Sequence, residues 1–352
     1  MRDTRLRVGL VGYGLAGEAF HAPLIAGTAG MEVAGVVSSD PGRRARVAAR
    51  YPRARRMSSA GEIWADPSQF DLVVICSPNR THVPLALDAV EAGLAVVVDK
   101  PVAATVADAV RLRDAAAARG VRVGVFQNRR WDGDFLTVRD LLDQRALGSV
   151  HRFESRFERW RPEVAHGGWR ESPDPADAGG VLYDLGSHLI DQALVLFGSV
   201  TSVYAELRNV RAGARVDDDA FVALAHASGT VSHLWMSLVA ASAGPRVRVL
   251  GSAASFVKFG LDGQESKLRQ QVDVGSPDWG SEPEEHWGRV WAGEESRPVA
   301  PVPGRYQRFY EVVAEALLHG GPMPVEIDDA IATLRVIEAA RRSAQRHAVV
   351  SA

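Results

Sequence analysis

The chain has 352 residues, 46% hydrophobic and 24% charged, an ordinary globular composition with enough length for two domains that each bury a core. Its formal net charge of -2 excludes a field that would draw the whole protein to nucleic acid or an anionic membrane, so a small soluble substrate is the expected partner. The single cysteine, Cys76, has no internal disulfide partner, and its place in an apolar run reads as a buried small residue.

Met1 to Arg5 leads into a strand without the apolar stretch and cleavage site of a signal peptide, and no later apolar run is long enough to span a bilayer. A cytoplasmic protein without membrane attachment is expected. From Leu6 to about Phe126, the runs LRVGLVG, MEVAGVVS, DLVVICS, LAVVVDK and VRVGVF read as strands separated by Ala- and Arg-rich helical stretches. They are apolar without alternation, as strands covered on both faces are, and alternating βα units of this kind build a doubly wound parallel sheet. The helix from Thr105 to Arg119 is the clearest, with Gly120 placed to stop it.

Beyond Phe126 the pattern changes. The segments Gly148 to Trp160, VTSVYAELRN, DAFVALAHA and TVSHLWMSLV show period-two character, which predicts a mainly antiparallel open sheet with one face packed and the other available to a partner. Helices are predicted from about Val181 to Phe197, Arg305 to Leu318 and Asp328 to Ala344. The stretch from about Gln264 to Pro303, with Trp279, Trp287 and Trp291, reads as a long ordered excursion. The predicted fold is α/β: an N-terminal Rossmann domain over 1–126, then an α+β domain for substrate binding and oligomerisation over 127–352.

The first candidate site is the loop Gly12-Tyr13-Gly14-Leu15-Ala16-Gly17. It matches GxGxxG directly after a predicted strand and before a helix, the context in which the motif holds a dinucleotide pyrophosphate. Gly12 permits the tight turn, Gly14 lets the backbone approach the phosphates, and Gly17 allows helix to pack on strand. The second strand ends near Ser38, where NAD-specific sites carry a carboxylate for the ribose 2′-hydroxyl. Ser38, Ser39 and Arg43 instead suit a 2′-phosphate, so NADP is preferred over NAD. The alternative gives Asp40 the carboxylate role and leaves Arg43 and Arg44 on a solvated helix face.

Chemistry is expected where open α/β sheets bind ligands, at the carboxyl ends of strands. Lys100, stiffened by Pro101, ends the buried run LAVVV; a surface lysine is the alternative. Ser77, Pro78, Asn79, His82, Gln127 and the Lys100-Pro101 pair itself are read as further cofactor contacts, while Arg129 and Trp131 are read as a polyol pocket; the alternative has Asn79 cap a helix and the arginines solvated. In GGVLYDLGSHLID, Asp184, His188 and Asp191 share one edge of an apolar helix, and burying them unpaired would be costly. Asp191 reads either as fixing the His188 tautomer or as a surface carboxylate. No group of residues has convincing metal-ligand spacing.

These landmarks, GYGLAG, Asp99-Lys100-Pro101 and GGVLYDLGSHLID, resemble in order and spacing the glucose–fructose oxidoreductase and inositol dehydrogenase family, Gfo/Idh/MocA. The match departs at Asp99, where that family often has Glu. The segments FHAPLI, QNRRWDGDFLTVRDLL and YDLGSHLIDQALVLFG look most like its NADP-dependent scyllo-inositol dehydrogenases. The resemblance implies Lys100, Asp184 and His188 as the catalytic trio, Tyr183 beside the substrate, Trp169 near the cofactor, and dimers or tetramers formed through the C-terminal sheet. The expected reaction is reversible oxidation of a secondary alcohol on a cyclic polyol or sugar. A different carbonyl substrate and a non-catalytic cofactor-binding regulator are the alternatives.

Overall fold

The computed structural model describes residues 5–165 and 167–352. Met1 to Thr4, part of the N-terminal stretch read above, lie outside them. The chain forms two compact units: one comprises residues up to Asn128 with Gln264–Trp279 and Tyr306–Ala330, and the other Arg129–Gly263, Gly280–Arg305 and Ile331–Ala352. The later segments join the first unit because Phe126, at the end of the last strand of its sheet, packs its ring against Phe309 and Tyr310 at centroid distances of 4.9 and 5.9 Å.

The first unit is built on β1 (Leu6–Val11), β2 (Met31–Val37), β3 (Arg55–Met57), β4 (Leu72–Ile75), β5 (Ala95–Asp99) and β6 (Val123–Phe126). They form one parallel sheet in the order β3-β2-β1-β4-β5-β6. The order reverses direction between β1 and β4, the switch point at which such sheets open a crevice at their carboxyl ends. All residues of β4 and β6 are buried, as the unbroken apolar runs require. The structure adds β3, an edge strand whose two exposed arginines give no apolar run to read.

Local chemistry sets the helices between them. A π-helical turn, Ala16–His21, leads into α1 (Ala22–Ala26). Helix α2 (Pro41–Arg50) starts where the Asp40 carboxylate accepts the Arg43 backbone N–H and Pro41 supplies a preset φ. A short α3 (Gly61–Trp64) precedes α4 (His82–Glu91). Helix α5 (Val106–Arg119) is capped by Thr105, which accepts from the Asp108 N–H, and stopped by Gly120 at φ +64°.

After α6 (Gly133–Asp143), the second unit carries β7 (Val150–Glu158), then α7 (Ser187–Phe197) entered through a second π-helical turn, Leu182–Gly186. Its sheet continues with β8 (Val200–Arg208), β9 (Asp219–His226), β10 (Val231–Ser237), β11 (Val247–Gly251), β12 (Ser255–Lys258), β13 (Gly288–Ala292), β14 (Glu295–Val299) and β15 (Val350–Ser351). The order is β14-β13-β12-β11-β7-β10-β9-β8-β15, antiparallel except for β7 beside β10. Burial alternates residue by residue along β9 and β10, so one face is packed. The other face shows Phe221, His233 and Trp235 in mutual ring contact, with the Arg156 guanidinium 3.9 Å from the Trp235 centroid.

The ordered excursion expected from Gln264 to Pro303 contains regular elements. It holds α8 (Gln264–Arg269) and the β13–β14 hairpin. Its tryptophans part company: Trp279 is buried and donates its indole N–H to Gln264, Trp287 donates to the Glu282 carbonyl, and Trp291 is exposed on β13. Two long helices complete the chain, α9 (Gln307–His319) and α10 (Ile327–Arg346).

Candidate functional site

Each glycine of the first loop has a distinct reason to lack a side chain. Gly12 has φ +109°, and a Cβ there would stand 2.8 Å from the Cys76 carbonyl. A Cβ on Gly17 would sit 2.3 Å from the Gly12 carbonyl oxygen. Gly14 faces open space, with nothing nearer than Arg43 Nη1 at 4.0 Å. Two glycines therefore close the turn and one leaves room for a ligand, and Leu15 beside it is 49% exposed. Tyr13 contributes backbone only, because its ring is buried, and that burial pushes its phenol pKa up.

The end of β2 falls at Val37, so Ser38 is the first residue beyond the strand. Asp40 is taken by the α2 cap, and the N–H of Arg43 holds its carboxyl below the usual value. Arg43 hangs over Gly14. Arg43 is exposed and Arg44 half-buried, its guanidinium donating to the Ser38 carbonyl at 2.6 Å. Ser39 is exposed at the same turn.

Past β4 and β5, two loops are tied together by His82. One ring nitrogen meets the Pro101 carbonyl at 2.8 Å and the other the Ser77 carbonyl at 2.9 Å. His82 was expected to contact the cofactor; its two ring nitrogens face backbone carbonyl oxygens of the loops after β4 and β5. Burial pushes its pKa down, against the raising effects of Asp99 and these carbonyls. Ser77 shares a 2.6 Å hydroxyl contact with Thr81, Pro78 precedes the turn Asn79–Thr81, and Asn79 is buried. Lys100 is half-buried directly after β5 and joined to Pro101 by a cis peptide; Gln127 is buried after β6. Because the sheet is parallel, Ser38, the glycine loop, Ser77–Asn79, Lys100 and Gln127 all lie along its carboxyl edge. Strand spacing puts Lys100 about 10 Å along that edge from Gly12.

The choice of a lysine there is informative. Of 41 basic residues only Lys100, Lys258 and Lys267 are lysines. Lys258 is buried on Glu282 at 2.7 Å and on two carbonyls, and Lys267 donates to the carbonyls of Asp278 and Trp279. Each serves where a compact ammonium, not a planar guanidinium, fits.

In the second unit, Asp184 accepts from Arg170 Nε at 2.9 Å, and the Arg170 guanidinium lies 4.3 Å from the Trp169 ring centroid. Asp184 and Arg170 border a cavity of about 400 Å³ that also includes Arg161, Glu163, Arg211 and Asp217. Arg211 fastens the preceding segment by donating to Glu171 and the Glu163 carbonyl while pairing with Asp218. Burial raises the Asp217 carboxyl, although it accepts the Leu182 N–H at 2.8 Å. Sequence reasoning missed Arg170 and Arg211, whose partners lie far enough along the chain to leave no local pattern.

His188 is buried on α7, its ring edge-on to Phe157 at 6.2 Å. Phe157 in turn has the guanidiniums of Arg129 and Arg246 at 4.7 and 4.3 Å from its centroid. Asp191 is buried and so is not a surface carboxylate, and Arg130 grips both its oxygens at 2.7 and 2.8 Å. Its neighbour Gln192 donates to the Arg129 carbonyl at 2.8 Å and accepts from Arg246. Consecutive residues of α7 thus clamp the 129–130 segment. Arg129 is itself buried and 3.4 Å from Asp132, and Trp131 is half-buried with its carbonyl accepting from the Arg305 N–H. Tyr183 turns inward, with the Arg341 guanidinium 5.8 Å from its ring.

A glycine loop at the switch point of a 3-2-1-4-5-6 parallel sheet defines a dinucleotide-binding unit, here on the same chain as a large mixed-sheet unit. Residues 6–127 match the model of the oxidoreductase family's NAD-binding Rossmann fold, and residues 139–351 that of its C-terminal alpha/beta domain. The chain is 41% identical over 350 residues to the uncharacterized oxidoreductase YdgJ of Escherichia coli, covering 99% of each. It is 34% identical over 347 residues to the NADP(+) scyllo-inositol 2-dehydrogenase IolW of Bacillus subtilis, covering 97% of this chain and 94% of that one. The solved structure of Bacillus subtilis yvaA, described as an oxidoreductase, superposes with a TM-score of 0.94 at 32% identity, covering 100% of this chain and 99% of that one. The chain belongs to the Gfo/Idh/MocA family of NAD(P)-binding oxidoreductases.

Proposed function

We propose that this protein is an NADP-dependent dehydrogenase of a cyclic polyol or sugar in which Lys100, Asp184 and His188 handle the proton and the substrate oxygen. The observation that carries the reading is the alignment of Ser38, the glycine loop and Lys100 along one sheet edge. The space over Gly14 fits a pyrophosphate, and the loop N–H groups would hold it. Ser38, Ser39 and Arg43 would take a 2′-phosphate, with Asp40 withdrawn into its cap. Asn79, Gln127 and Trp169 are assigned to the remainder of the cofactor. When bound, the nicotinamide accepts the hydride that leaves the alcohol carbon.

On the protein side, His188 takes the hydroxyl proton as general base, histidine being the side chain whose ordinary pKa lies nearest neutrality. Lys100 donates a hydrogen bond to the same oxygen and favours the negative charge that develops on it. Asp184, steadied by Arg170, orients the substrate. The cavity beside Asp184 is walled by charged side chains, which suits a polyhydroxylated compound better than an apolar one. The similarity to the Bacillus subtilis scyllo-inositol 2-dehydrogenase supports the same class. Arg129 and Trp131 are kept as substrate-side residues, with Arg129 acting through Phe157 beside His188. The aromatic face of the mixed sheet is assigned to self-association as a dimer or tetramer.

A panel of inositols, aldoses and ketoses, each offered with NADP and with NAD, tests the reading. The expected result is reduced-cofactor absorbance with at least one cyclic polyol and a preference for NADP. Turnover confined to unrelated carbonyl compounds, or none on any of them, would overturn it.

A further inference from the structure

Behind Lys100 the first unit holds a line of buried polar side chains with no part in the chemistry above. Asp99 Oδ1 accepts the backbone N–H of Lys100 at 2.8 Å. Its Oδ2 faces His21 Nε2 at 3.6 Å. His21 is fully buried, with the Phe126 ring centroid 4.2 Å from its own, and its Nδ1 meets the Tyr310 hydroxyl at 2.6 Å. Tyr310 is fully buried too. The three side chains come from the helical stretch after the glycine loop, the end of β5 and α9, so only the tertiary fold brings them together.

The direction of the hydrogen bonds follows from charge. A neutral imidazole carries one N–H. Placed on Nδ1, that proton would leave the Nε2 lone pair facing the Asp99 carboxylate in a buried site where the repulsion is poorly screened. The favourable arrangement has Tyr310 donating to Nδ1 and the Nε2–H pointing at Asp99. At 3.6 Å this last contact is too long for a formed hydrogen bond and acts through charge and dipole. Burial alone would raise the Asp99 carboxyl, yet His21, His82 and Lys100 outweigh it and hold it below its usual value.

We propose that Tyr310, His21 and Asp99 are positioning residues for Lys100. They keep an ionised carboxylate on the Lys100 backbone N–H and so fix the direction in which the lysine side chain leaves the strand end. The proposal rests on the reading of Lys100 as the residue that holds the substrate oxygen, and a misdirected Lys100 would lower turnover without loosening the cofactor.

The test has two arms. In the first, kcat and KM are measured on the polyol turned over fastest, with cofactor binding followed separately, for Tyr310→Phe, Asp99→Asn, Asp99→Glu and the double variant Tyr310→Phe/Asp99→Asn. Asp99→Asn is expected to lower kcat about tenfold and Tyr310→Phe about threefold or more, with KM and cofactor affinity within twofold. Asp99→Glu, which keeps the charge, retains most of the activity. The double variant is no slower than Asp99→Asn, because Tyr310 acts through Asp99. Fully additive losses, or an unaltered kcat in both single variants, overturn the proposal. Melting curves establish that each variant folds, and if Tyr310→Phe does not, the Asn–Glu contrast at position 99 decides.

The second arm needs no substrate. Nitrogen-15 NMR of histidine-labelled protein, with His21 assigned by its loss in His21→Gln, is expected to show the Nε2–H tautomer. An Nδ1–H tautomer overturns the chain even in an active enzyme. If no polyol is turned over while the Nε2–H tautomer is found, the substrate reading fails and the buried chain stands.

Discussion

Replacing Gly14 and Gly17 by alanine should separate ligand binding from folding within four residues of one loop. A methyl group on Gly17 would lie 2.3 Å from the Gly12 carbonyl oxygen, and that neighbour is backbone that cannot swing aside. Overpacking of this kind destabilises by about 1–3 kcal/mol, and here the intruded atom leaves little room for relief. A methyl group on Gly14 meets nothing within 4 Å except the flexible end of Arg43. Folding of Gly14→Ala should therefore match the parent within about 0.5 kcal/mol. The same methyl fills the space through which the pyrophosphate reaches the loop amides, so NADPH affinity should fall tenfold or more, about 1.4 kcal/mol. Melting curves without cofactor and fluorescence titration with NADPH measure the two effects. A Gly14→Ala variant that binds NADPH normally, or one that melts as early as Gly17→Ala, would refute the assignment.

Ser38→Asp should shift cofactor preference toward NAD by placing a carboxylate where the ribose hydroxyl is expected; an unchanged ratio of kcat/KM values for the two cofactors would count against the β2 register. Arg130→Met should destabilise by about 3–5 kcal/mol by removing the guanidinium that grips the buried Asp191 carboxylate, and adding Asp191→Leu should recover much of the loss in denaturation experiments. Burial pushes the Asp132 carboxyl from 3.8 up to about 8, helped by Asp134 and Asp262 and opposed by Arg129 and Arg246. A carboxyl whose folded pKa is raised favours folding fully below about pH 4, and that contribution is lost as pH rises toward 8. Asp132→Asn lacks this titration, so its melting temperature relative to the parent should rise between pH 5 and pH 8. A constant difference would contradict the assignment.

Much of the first unit was legible because its signals are local. Unbroken apolar runs marked five strands, Thr105 and Gly120 bounded α5, and the glycine loop announced itself by spacing. What escaped was nonlocal or weakly patterned. The edge strand β3 has two exposed arginines among three residues, and the return of α9 to the first unit depends on packing with Phe126. Lys100 could be placed from its strand, but His21 and Tyr310 meet across 289 positions and leave no spacing to find. Helical periodicity put Asp184, His188 and Asp191 on one edge, yet it carried no information about Arg130, which pairs with Asp191 across 61 positions. His82 followed a strand like a ligand-binding residue, and nothing in its spacing signalled that its ring nitrogens meet the carbonyls of Pro101 and Ser77.

The central claim is that Lys100 holds the substrate oxygen in a hydride-transfer reaction. It is tested most directly by comparing the parent and Lys100→Met for NADPH formation from the preferred polyol and for NADPH binding by fluorescence. The expected result is a loss of at least about a hundredfold in kcat with the cofactor dissociation constant within twofold. Near-normal turnover in Lys100→Met would contradict the account.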